Sequence, residues 1–278
     1  MTERARVLRV RSVASGTAGT AQVRWTVGDV TAVAHVSGPD APQLAVVLVH
    51  GVGSSARALN PVRRALLRRG LLPPVAVHAI DLPGFGPAPR TRRDVPIEEH
   101  AAVVAGYVRR HVLAVPHGAP RPAVVLVGHS MGAQVVGQAM ADHPHEAPAG
   151  VLVGPTADRR ARTAPRQALR LARNAVGERP RALATLAVDY VLRCSLPYYA
   201  RQVRTMLGHR LEDVMPRVPG RVVVARGAHD PIAPRRWCRE LALAAPRAAF
   251  REVRGRHHAM DADPEGIVAA VLEAGELS

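Results

Sequence analysis

The chain has 278 residues, 47% of them hydrophobic, 22% charged and only 3% aromatic, enough for one large domain whose core is built mainly from Val, Leu and Ala. The formal net charge is +16, yet all 38 Lys+Arg positions are arginine; they are scattered as GC-rich coding would scatter them, not gathered into a stripe with stacking aromatics, which argues against a nucleic-acid surface. The Arg-rich N-terminus lacks an apolar stretch long enough for a signal-peptide core, and no run approaches bilayer length, so a cytoplasmic protein without membrane insertion is expected.

Residues 5–36 alternate in three pieces, Val7–Arg11, Val23–Val27 and Val30–Val36, broken at Gly16–Gly19 and at Gly28-Asp29. These read as antiparallel strands at a sheet edge. The pattern then changes to short continuous apolar runs at 45–49, 75–80, 123–127, 150–153 and 222–225. Such runs suit strands buried on both faces of a parallel sheet. Residues 249–253 make a last, less regular strand. Helical spacing lies between them at 58–69, 97–115, 133–141, 236–244 and 264–274, the last with a proline near its start. The alternation gives a doubly wound α/β layer. About seventy residues separate the strands ending at Val153 and starting at Val222, too many for one crossover. Ala164–Val176, Pro180–Cys194 and Pro197–Met206 look helical, so 157–216 is expected to form a helical cap over a core of 1–156 and 217–278. Cys194 and Cys238 are the only cysteines, too few for a disulfide framework and without the spacing of a metal site.

The chemistry centres on Gly128-His129-Ser130-Met131-Gly132, which joins the run 123–127 to the helix 133–141. Strand, G-x-S-x-G, helix is the setting of a nucleophile elbow, a turn so tight that only small residues fit two before and two after the serine. Serine needs a base, and the base an orienting acid. Asp230 lies just past the end of strand 222–225, on the sheet edge that carries Ser130; Asp158, after the preceding strand, competes with it. His257 and His258 both follow the last strand, giving the order Ser, Asp, His. His129 should point away from the pocket. An oxyanion hole needs two backbone N–H donors. Met131 offers one, since the first N–H groups of a helix have no intrahelical partner. Val52, in the glycine-rich loop after strand 45–49, offers the other. That loop has neither G-x-G-x-x-G nor Gly-Lys-Ser/Thr, so a phosphate cradle is not expected.

Together these residues resemble the α/β-hydrolase fold superfamily over nearly the whole chain. The resemblance rests on His50-Gly51, Asp81-Leu82-Pro83-Gly84-Phe85-Gly86, the elbow, Gly227–Asp230 and Gly255–His258. It implies an α/β fold with a mostly parallel twisted sheet, antiparallel N-terminal strands, helices on both faces and a helical cap like those of the esterase and meta-cleavage-product-hydrolase branches. It also implies a Ser-His-Asp triad, no metal and no organic cofactor, and a structural role for the Asp81–Gly86 turn. The family pattern Pro-Gly-x-x-His-Ala favours His258 as base, with Arg254 replacing the proline; counting back from Pro264 favours His257. The expectation is therefore a serine hydrolase of small-molecule carboxylic esters, with Ser130, Asp230 and His258 catalytic. A carbon–carbon bond hydrolase of β-diketone-type products and a non-catalytic binding protein are the alternatives. Tyr190, Tyr198 and Tyr199 are read as packing residues of the cap, and Arg193 and Arg201 as part of its solvated helix face, with contact to an anionic substrate as the alternative.

Overall fold

Leu44–Val49 forms a strand in which none of the six side chains is exposed, and the rest of the molecule is arranged around it. The structure is a computed structural model that describes residues 4–6, 20–68, 73–176 and 196–277. Its strands are β1 (Arg4–Arg6), β2 (Ala21–Val27), β3 (Val30–Ser37), β4 (Leu44–Val49), β5 (Val75–Asp81), β6 (Ala123–His129), β7 (Ala149–Val153), β8 (Arg221–Gly227) and β9 (Ala248–Val253). They form one nine-stranded sheet in the order β1-β2-β3-β5-β4-β6-β7-β8-β9. β1 to β3 pair antiparallel, as does β3 with β5. Every pairing from β5 through β4 to β9 is parallel.

Side-chain alternation along these buried strands feeds two cores. Ala45, Val47, Val49, Leu126, Leu152 and Val224 face one; Leu44, Val46, Leu48, Val127, Val151 and Val223 face the other. Each Val or Leu so buried contributes about 1.5–3 kcal/mol. The first core is covered by α2 (Ile97–His111), α3 (Met131–Asp142) and α7 (Arg235–Ala244), the second by α1 (Asn60–Leu66) and α9 (Pro264–Ala274). The segment between β7 and β8 contributes α4 (Ala164–Ala175), α5 (Leu196–Gly208) and the single turn α6 (Leu211–Val214); α8 (Ala259–Ala262) is another single turn. Among the described residues, no helix is long and apolar enough to cross a membrane.

The expected fold class is the one found, with three local differences. A 3-10 turn at Ala56–Leu59 precedes α1, which stops at Leu66. α2 ends at His111, short of residue 115. The described first strand is Arg4–Arg6, while residues 7–19 lie outside the described residues, as does the helix expected at 180–194.

Strand order also locates the site. From β4 the chain winds outward to β5, then crosses back so that β6 lies on the other side of β4. The direction of winding reverses between β4 and β6, and crevices at such switch points open beyond the carboxyl ends of the strands. The loop after β4 and Ser130 after β6 both lie there.

Candidate active site

Ser130 follows β6 and caps α3 with φ 59° and ψ −117°. A non-glycine residue in this region is strained by about 1–3 kcal/mol, a cost borne where surrounding structure enforces it. Here the enforcement is steric. A Cβ on Gly128 would lie 2.1 Å from the Gly132 carbonyl oxygen, and one on Gly132 2.3 Å from that of Val49. The Ser130 N–H is held by the Val153 carbonyl at 2.9 Å, which ties the elbow to β7. The loop after β4 passes close by: a Cβ on Gly51 would stand 3.3 Å from Ser130 Oγ. His50 anchors that loop, donating from Nδ1 to the Gly51 carbonyl (2.7 Å) and accepting the Leu82 N–H at Nε2 (3.1 Å). Asp81 supports it from below, accepting the Ala56 N–H at 2.8 Å and pairing with His35 at 2.7 Å.

Asp230 sits in the loop after β8 and is 3% exposed. Its Oδ1 accepts the N–H groups of Ile232 (2.7 Å) and Ala233 (3.1 Å), and its Oδ2 meets His257 Nδ1 at 2.9 Å. Burial pushes the carboxyl pKa up, but the charge and hydrogen bond of His257 and the two N–H groups outweigh it, so Asp230 lies below the usual carboxylate range. An ionised carboxylate only accepts, so His257 Nδ1 carries the proton and Nε2 is left as the basic nitrogen. Arg226, itself 5% exposed, fixes the loop from inside, donating to the carbonyls of Ala228, Asp230 and Ala233 and pairing with Glu252.

Asp230 therefore meets His257 and not His258, the residue that the terminal motif favoured. The loops after β8 and β9 are laced together: His229 N–H donates to the Gly255 carbonyl at 3.0 Å, and a Cβ on Gly227 would strike the Arg256 carbonyl. The next residue, His257, is carried alongside Asp230. His258 already caps the turn α8, its carbonyl accepting the Asp261 and Ala262 N–H groups. Its ring packs edge-on to His257, 5.6 Å between centroids. Asp158 is bonded elsewhere, to Arg170 at 2.9 Å and to the Arg160 N–H at 3.1 Å. His129 lines the pocket edge, contrary to expectation, but its Nε2–H donates to the His257 carbonyl at 3.0 Å. Burial, then the neighbouring histidines, hold its pKa well below the usual imidazole value.

Ser130, His257, His258, Val52 and Thr156 line one cavity of about 560 Å³, within the range of sites for small organic ligands. Met131, with its N–H at the first position of α3, is fully buried beneath. The far wall is α4, through Ala168 and Leu171, and α5, through Tyr199, Val203 and Met206. Tyr198 packs in the core and donates to the Pro83 carbonyl at 2.6 Å. Arg201 is engaged by Asp94 at 3.2 Å and by the Thr91 carbonyl. Tyr190, Arg193 and Cys194 lie outside the described residues. Among the described residues no group of three or more His, Cys, Asp or Glu is placed to hold a metal ion. Sequence reasoning missed Arg226, Arg170 and Asn174, whose roles depend on which loops meet; the only signal was asparagine itself, present at positions 60 and 174 alone.

No curated protein matches the chain. Solved structures do. A hydrolase from Pseudomonas aeruginosa PA01 superposes with a TM-score of 0.72 at 15% identity, covering 91% of this chain and 97% of that one. The enol-lactonase from Burkholderia xenovorans LB400 gives 0.69 at 20% identity, with coverage of 88% and 98%. An esterase from Rhodococcus sp. ECU1013 gives 0.65 at 20% identity, with coverage of 92% and 98%. At such identities the likeness is one of fold. The profile of the alpha/beta hydrolase family matches residues 46–270, from within β4 to within α9, and so takes in the elbow and both partner loops. With that match over most of its length, the chain belongs to the alpha/beta hydrolase family.

Proposed function

We propose that this hydrolase cleaves carboxylic esters through a Ser-His-Asp triad and an acyl-enzyme, with His257 rather than His258 as base. The observation that carries the reading is that Ser130, held at positive φ, opens onto the same cavity as His257, whose Nδ1–H is bound to the buried Asp230. Ser130 Oγ attacks the ester carbonyl carbon as His257 Nε2 takes its proton. Asp230 remains ionised, keeps the imidazole in the productive tautomer and stabilises the imidazolium. The N–H groups of Val52 and Met131 stabilise the oxyanion of the tetrahedral intermediate. As that intermediate collapses, the C–O bond to the alcohol breaks and His257 protonates the leaving oxygen. Water then attacks the acyl-Ser130 with His257 again as base, releasing the acid and restoring the serine.

The residues 157–216 act as the cap that shapes the substrate, over a core of 1–156 and 217–278. The described cavity wall carries no Arg, Asp or Glu despite the net charge of +16, which favours an uncharged substrate with an aliphatic or aromatic group against α4 and α5. Reaction with a fluorophosphonate probe tests the reading: labelling is expected at Ser130 and absent from Ser130→Ala. Wild-type protein that does not react overturns it. A series of p-nitrophenyl esters of increasing acyl length, run beside a dienoate carbon–carbon substrate, identifies the bond cleaved.

A further inference from the structure

Helix α4 presents two neighbouring faces to the site. Ala164, Ala168, Leu171 and Ala175, spaced four, three and four apart, line the cavity. Arg170 and Asn174, one turn apart on the adjoining face, reach past it to the two loops beneath. Arg170 Nη1 donates to the Ile232 carbonyl at 3.2 Å, and its Nη2 to Asp158 at 2.9 Å. Ile232 is the residue whose own N–H holds Asp230 Oδ1. Asn174 Oδ1 accepts the backbone N–H of His257 at 3.2 Å. One turn of helix thus grips the acid loop with one side chain and the base loop with the next.

The chemistry of these positions fits that use. Asparagine is a poor helix former, and α4 is otherwise largely exposed, with Asn174 its one fully buried side chain. Without Asn174 the His257 N–H would be a buried donor deprived of the acceptor it has here, a state folded proteins avoid. Asp158, a buried carboxylate, is compensated by Arg170; it serves as the anchor of a brace and not as the acid of the triad.

We propose that Arg170 and Asn174 are positioning residues, which hold the loops of Asp230 and His257 in register so that the Nδ1–Oδ2 hydrogen bond is kept. The proposal rests on the reading of His257 and Asp230 as base and acid. Neither residue touches substrate, so their loss lowers kcat and leaves KM nearly unchanged. A shift of the base by a fraction of an ångström to 1 Å corresponds to about 10- to 100-fold in rate.

The test uses the full chain and three variants: Asn174→Leu, which removes the acceptor at similar volume; Asn174→Asp, which keeps it; and the double variant Arg170→Met/Asp158→Asn, which removes the brace without stranding a buried charge. Two readouts are taken, kcat and KM on a p-nitrophenyl ester and the downfield proton resonance of the His257 Nδ1–H. Asn174→Leu is expected to lose about 10- to 100-fold in kcat and to lose or broaden the resonance, with Asn174→Asp restoring both; the double variant follows Asn174→Leu and decides the matter if that variant does not fold. Retention of kcat and of the resonance in folded variants lacking these contacts overturns the proposal, as does absence of the resonance from wild-type protein. The resonance is read without turnover, so a brace that fails is distinguished from a Ser130 that fails to take the fluorophosphonate.

Discussion

Replacing Asp230 by asparagine separates orientation of the base from stability of the fold. In the wild-type site Oδ1 accepts two N–H groups, at 2.7 and 3.1 Å, while Oδ2 accepts one, from His257. A carboxamide has one oxygen to place. Turned with its NH₂ toward Ile232 and Ala233, it would set a donor against two buried donors, a loss of two hydrogen bonds at about 1–3 kcal/mol for each group stranded. The oxygen therefore stays on the Ile232 side and the NH₂ faces His257. Nδ1 must then accept, the ring proton moves to Nε2, and the nitrogen that should take the Ser130 proton no longer can. A wrong tautomer of this kind costs on the order of 10⁴-fold in kcat, or roughly 5.4 kcal/mol of transition-state stabilisation. Because the backbone bonds survive, the urea midpoint of Asp230→Asn should stay near wild type, whereas Asp230→Ala, which strands both N–H groups, should lose stability as well. The assay is steady-state ester hydrolysis alongside urea unfolding. A loss below about tenfold in kcat, or an equal loss in Asp158→Asn, refutes the reasoning.

His257→Ala should abolish turnover as completely as Ser130→Ala, since members of a triad act as a unit, while His258→Ala should stay within about tenfold of wild type; kcat for the pair reverses if the base is His258. Burial holds His100 and His78 at pKa about 4. Their folded values lie below the unfolded 6.5, so the unfolded chain binds more protons in between and stability falls as pH drops from 6.5 toward 4. Between pH 6.5 and 5 each should cost roughly 2 kcal/mol, a slope that urea unfolding measures and that His100→Gln should reduce. Asp230 and Asp263, whose pKa values are depressed below 3.8, have the opposite window: their contribution is complete above 3.8 and is lost only below it. Tyr198→Phe removes a buried bond to the Pro83 carbonyl and should cost about 1 kcal/mol in urea unfolding, with kcat unaffected.

Most of the sheet was legible because nearly every buried strand carries a short apolar run, the pattern that burial on both faces of a parallel sheet produces. Val46-Val47-Leu48-Val49 has no amphipathic reading to mislead it. The elbow was legible for a related reason: its steric demand falls on residues adjacent in sequence, so Gly128 and Gly132 record it in the letters themselves. The choice between His257 and His258 was not. Both satisfy the composition of the loop, and a single residue of slack reverses the face presented. What removes the slack is lateral. Gly227 and His229 from one loop fit against Gly255 and Arg256 of the other, and Asp263 closes the loop behind them by accepting the N–H groups of both Arg254 and Gly266. Counting back from Pro264 points to His257 because that end of the loop is pinned by a helix cap.

The same distinction explains why Asp158, which resembled a catalytic acid in the sequence, meets an arginine and not a histidine in the fold. A carboxylate just past the end of a parallel strand is correctly placed along one axis, the direction of the strand. Whether a histidine or an arginine meets it is decided across the sheet, by what descends from above. Over β9 the loop delivers His257 to Asp230; over β7 the helix α4 delivers Arg170 to Asp158. Two acids that both follow parallel strands thus acquire different partners, and the second is coupled to the first because Arg170 also holds the Ile232 carbonyl in the loop of Asp230. A variant of Asp158 should accordingly weaken catalysis through Arg170, with KM preserved, and less than a variant of Asp230. The ratio of the two losses measures how much of the Asp230–His257 geometry is imposed by the helix above it.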